Sequence, residues 1–96
     1  MNTQEITEIT KALSFLIYQA FVEIRLLISM GRTGQAAALA DVFHNLAVEM
    51  WRDEFELERF RASLKMHLQK FPDSFDYLSP LDEHLAEWRI EASADK

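Results

Sequence analysis

The segment ITEITKALSFLIYQAFVEIRLLISM, from Ile6 to Met30, repeats its apolar side chains with the 3.6-residue period of an α-helix. Ile6, Ile9, Leu13, Leu16, Ile17, Ala20, Phe21, Ile24, Leu27 and Ile28 make one broad stripe, while Phe15, Val22 and Leu26 fall well outside its centre. Such a helix is apolar over more of its circumference than one neighbouring helix can cover. Its greasy surplus predicts contact with another polypeptide, and Phe15, Leu16, Val22 and Leu26 are the expected residues of a homodimer interface.

Around this segment the chain reads as one all-α domain over residues 1–96, a small four-helix bundle with a long N-terminal helix and antiparallel helix pairs. A length of 96 residues suits a single core, and a hydrophobic share of 49% is too high for a disordered chain. Two Gly and two Pro are too few to punctuate a many-stranded sheet. The first helix is expected to start near Asn2 or Thr3, either of which can cap free amides, and to end at Gly31, a residue suited to the left-handed position after a helix.

The second helix should run from about Gly34 to Met50 with Thr33 as its cap and Leu39, Val42, Phe43, Leu46 and Met50 on its apolar face. Its small Ala36, Ala37, Ala38 and Ala40 are expected against Phe21, Ile24, Leu27 and Ile28. A third helix is expected to open with Asp53 and Glu56 in a capping box and to bury Leu57, Phe60, Leu64, Leu68 and Phe71 before Pro72 stops it. Residues 72–79 form the longest irregular connection. Ser79 then caps a fourth helix with Pro80 in its first turn, reaching about Glu91, and residues 92–96 should fray.

Charge narrows the function. Lys and Arg number 10 and Asp and Glu 16, a net charge of −6, and residues 72–96 hold most of it, with seven acids against two bases. Nucleic-acid binding draws its energy from neutralised phosphates, and no basic stripe is present to supply it, so neither DNA nor RNA is an expected partner. A bilayer is not expected either, because Glu23 and Arg25 lie inside the longest apolar stretch and a charge at mid-bilayer costs about 2.5–3.5 kcal/mol. With no cysteine and no basic leader in the first five residues, a cytoplasmic setting is expected.

Chemistry-bearing patterns are sparse. Asp41-x-x-His44 places a carboxylate and an imidazole one turn apart, the half of a metal-ligand set that helical bundles use, yet a second such pair is missing, so no metal or other cofactor is expected. His67 and His84 read as surface residues, and Asp82 and Glu83 as helix-start charges. Trp51, Phe55, Phe75, Tyr77 and Trp88 gather near the junctions of the last three helices. If open to solvent, they would join Asp73 and Asp76 as a patch suited to a basic protein partner.

In size, acidity and helix content the chain is similar to the small helical immunity proteins that neutralise basic bacterial toxins, a likeness of fold and charge that assigns no residue a role. The expected function is an acidic protein-interaction module, homodimeric and regulatory or inhibitory, without catalysis. The alternatives are a metal-dependent bundle enzyme using Asp41 and His44, and a structural subunit of a larger assembly.

Overall fold

The computed structural model describes the backbone of residues 3–94 and the side chains of residue 4 and residues 6–87. Four helices follow one another: α1 (Thr3–Ser29), α2 (Thr33–Trp51), α3 (Leu57–Lys70) and α4 (Leu78–Ala94). The all-α four-helix architecture is the one the periodicity predicts. α1 is the spine, with α2 and α4 packed on it, and α3 closes the far side against α2 and α4.

One core joins the elements. Ile9, Leu13, Leu16 and Ala20 of α1 meet Leu39 and Leu46 of α2, Phe60 and Leu64 of α3, and Tyr77, Leu81 and Leu85. The aromatic rings meet edge to face, Phe43 with Phe60 at 5.8 Å and with Tyr77 at 5.4 Å between centroids, the arrangement their quadrupoles favour. Two arginine–carboxylate ion pairs and a histidine–carboxylate hydrogen bond fasten the helices at their margins. Arg61 donates to both carboxylate oxygens of Asp82 at 2.9 Å, joining α3 to α4. Arg59 reaches Glu49 of α2 at 2.9 Å, and His84 of α4 meets Glu8 of α1 at 2.8 Å.

Two helix ends are closed by the same backbone device. At the end of α1 the amides of Gly31 and Arg32 bond the carbonyls of Ile28 and Leu27, with Gly31 at φ +78°, as its sequence position predicts. At the end of α2 the amides of Asp53 and Glu54 bond the carbonyls of Met50 and Glu49, and Asp53 takes the left-handed position at φ 58°.

That placement corrects the expected capping box. Asp53 finishes α2 instead of starting α3, which opens at Leu57 after an extended Glu56 with no side-chain cap. The acids at 53–58 gave a helix-start signal because dipole and cap preferences look alike in sequence. α2 likewise has Arg32 in the capping position, without a side-chain bond, where Thr33 was expected. α4 is capped by Asp76 and not Ser79, since the Asp76 carboxylate accepts from the amides of Leu78 and Ser79 at 3.0 and 3.2 Å. Helix α4 continues through Ala94, past the fraying expected from 92, while residues 95–96 and the proposed Asn2 and Thr3 cap side chains lie outside the described residues.

Candidate interaction surface

Helix α1 has two unlike sides. Its inner side is dry, with Leu13, Leu16, Ala20 and Leu27 buried. Its outer side leaves eight large apolar side chains open: Ile6, Phe15, Ile17, Tyr18, Phe21, Val22, Leu26 and Ile28, with Tyr18 at 69% and Phe21 at 65% exposure. Three hydroxyls among them bond carbonyls of their own helix. Thr10 donates to the Ile6 carbonyl at 2.7 Å, Ser14 to that of Thr10 at 2.9 Å and Ser29 to that of Leu26 at 2.8 Å, bonds that remove hydroxyls from competition for water.

Of the expected interface residues, Phe15, Val22 and Leu26 are exposed, but Leu16 is not. It is completely buried, because it sits three residues after Leu13 and four before Ala20, on the centre of the inner stripe. From Ile6 to Ser29 the helix is also long and apolar enough to cross a membrane by length and composition, and only a third of that stretch is buried in the protein.

On one flank the outer side of α1 runs into a groove shared with α2. Ile17, Ala20, Phe21 and Ile24 form one wall and Ala40, Phe43, His44 and Ala47 the other, around a space of about 310 Å³. The alanines of α2 do meet α1 here, since Ala36 is buried and Ala40 lines the groove beside Ile24. They are too small to cover Phe21 or Ile28, and so those two stay exposed where burial was expected.

The loop between α3 and α4 does something the sequence did not announce: it secures Glu23. This carboxylate lies on the inner side of α1 and accepts from Tyr77 Oη at 2.6 Å, from Ser74 Oγ at 2.9 Å and from the Phe75 amide at 3.4 Å. Burial and the Glu23 carboxylate together push the Tyr77 phenol far above its ordinary value. Tyr77 is completely buried, so the expectation that it greets a partner is corrected, and Phe75 is half-buried with its ring edge-on to Tyr77 at 5.0 Å.

Asp73 pairs with Arg32, whose guanidinium holds its carboxyl below the usual range. Asp76 is occupied at the start of α4, where the Ser79 hydroxyl holds its carboxyl down. The loop is thus a strut. Phe55 is half-buried against the core, Trp51 stands 86% exposed at the end of α2, and the side chain of Trp88 lies outside the described residues.

The histidines also depart from expectation. His67 is buried with its Nε2 atom unpartnered and its ring 5.1 Å from Phe71, because it stands seven residues after Phe60 and three after Leu64 on the inner stripe of α3. Burial pushes its pKa down. His84, read as a surface residue, is half-buried and bonded to Glu8. Asp41 and His44 are both exposed on α2, and no group of three or more His, Asp or Glu side chains that could hold a metal occurs among the described residues.

Comparison with protein-family models, with curated proteins and with solved structures gives no match.

Proposed function

We propose that this chain is a small cytoplasmic protein-interaction module, regulatory or inhibitory and not catalytic, that joins a second copy of itself through the uncovered side of α1. The observation that carries this reading is the exposure of eight large apolar side chains on one helix. At roughly 200 Å² each and about half open, they amount to on the order of 800 Å² of uncovered apolar surface, of which a single contact uses the flank that it faces. Isolated monomers seldom leave that much apolar surface gathered on one helix in water.

Charge does not oppose a second copy as the occupant. Two chains of net charge −6 repel overall, but the uncovered stretch of α1 between Glu8 and Glu23 has no acid to meet its own copy. A bilayer is a poorer occupant, because seating α1 in lipid would require dehydrating Arg25, which has no ion pair or hydrogen bond among the described residues, and freeing Glu23 from Tyr77, Ser74 and Phe75.

A basic protein partner at the 73–77 loop receives less support, since Asp73 already has Arg32 and Tyr77 is buried. Of the aromatic residues of that patch whose side chains are described, Trp51 is the one widely open, beside the exposed acids Asp53, Glu54 and Glu56.

Sedimentation equilibrium at micromolar concentration should give a mass near twice 11.2 kDa. A particle of single-chain mass, or flotation of the protein with lipid vesicles, would overturn the proposal.

A further inference from the structure

Resting on the self-association proposed above, the geometry points to its seat: the Phe21 ring of each copy enters the groove between α1 and α2 of the other, so that the two helix pairs form an intermolecular four-helix layer. In a two-fold contact each patch meets its own copy, and a self-complementary surface must therefore carry both a projection and its receptacle. This one carries them side by side. Phe21, itself part of the groove wall, stands 65% exposed beside a space of about 310 Å³ that Ile17, Ile24, Ala40, Phe43 and Ala47 also line. A cavity of about 150 Å³ accommodates benzene, so the groove accepts a phenyl ring with room for its aliphatic neighbours.

The small side chains of α2 serve the same end. Ala40 and Ala47 let a second helix come close, and the exposed Ala37 extends that low surface toward the start of α2. The polar side chains nearest the contact are Ser14, bonded within its own helix, and His44, an exposed lining residue of the groove that can donate to or accept from a partner group.

Charge sets the register. Arg25, one turn beyond Phe21 on α1, and Asp41, beside Ala40 on α2, are both exposed and make no ion pair or hydrogen bond among the described residues. A two-fold axis running along the groove places α1 of one copy over α2 of the other and brings Arg25 toward the partner's Asp41, so that each protomer supplies one charge of either sign.

Dissociation constants from sedimentation equilibrium test this, with circular dichroism to verify that each variant folds. Phe21→Ala removes the projection and Ala47→Phe fills the receptacle. Neither disturbs a buried side chain, and each should weaken the dimer about thirtyfold or more, as loss of an aromatic anchor does. Phe15→Ala, on the opposite flank, should change it less than about threefold. Arg25→Glu should weaken association, and Arg25→Glu combined with Asp41→Arg should restore it.

A dimer indifferent to Phe21→Ala and Ala47→Phe but lost on Leu26→Ala would overturn this seat while leaving self-association standing. A wild-type chain that stays monomeric overturns both. Uptake of a fluorescent fatty acid by such a monomer, abolished by Ala47→Phe, would assign the groove to an apolar ligand instead.

Discussion

Glu23 and His67 each place a polar group on the buried stripe of a helix, and they are treated differently. Glu23 receives three donors from residues 74–77, which offset its loss of water. The His67 Nε2 atom receives none. Burial is the main cause holding its pKa below the ordinary value, with the ammonium of Lys70 acting the same way and the carboxylate of Glu23 opposing them. The folded protein therefore keeps this ring neutral where the unfolded chain takes up a proton, near pH 6.5.

The unfolded state binds more protons as pH falls through that point, so stability declines below about pH 6.5, by at most about 1.4 kcal/mol per pH unit. Urea unfolding of the wild type at pH 7.5 and 5.5 should show this loss, and His67→Phe should reduce it. Equal losses in the two proteins would show that burial of His67 is not the cause. The lowered carboxyl pKa values of Glu8, Asp73 and Asp76 act in a separate acid window, where protonation removes the bonds made by their charged forms.

At the scale of the element, the helices announced themselves and their ends did not. Leu13 and Ala20 of α1, or Phe60 and Leu64 of α3, lie on buried faces that follow from spacing alone, whereas Leu16, expected at the interface, is buried with them. Helix ends depend on which of several competing short-range bonds wins. Gly31 was legible because glycine enters the left-handed region without a steric penalty, but Asp53 in the same role was not, since a short acidic side chain is equally at home before a helix.

The two roles predict different responses to mutation. As the left-handed terminus of α2, Asp53→Gly should raise stability by about 0.5–1 kcal/mol in chemical denaturation, by relieving a side chain of that backbone. A loss of stability would return Asp53 to the start of α3. His67 was within reach of the same periodicity that marked Phe60 and Leu64, and was missed because Leu68 and Phe71 drew the stripe toward one side.

The whole molecule measures 51 × 27 × 20 Å with a radius of gyration of 14.4 Å, against about 12.5 Å for a rounded domain of this length. The elongation has a simple source. α1 spans 27 residues, or roughly 40 Å, and the shorter α2, α3 and α4 gather on one side of it, leaving the other side uncovered. If two copies share that side, unfolding is coupled to dissociation, and the melting temperature depends on protein concentration. Between about 5 and 500 µM it should rise by several degrees, whereas a constant value would count against a dimer.

Spacing and composition were enough to determine that the chain is four helices around one core, and that α1 carries more apolar surface than its neighbours can hide, because both follow from the order of side chains along each helix. Only the tertiary structure decided which part of that surplus stays open and which polar groups pair. Glu23 meets Tyr77 across 54 positions, Arg32 meets Asp73 across 41, and Phe21 stays exposed because the helix beside it is lined with alanine. Those outcomes depend on how helices distant in sequence are juxtaposed, and helical periodicity fixes which face of a helix turns inward without fixing what it meets there.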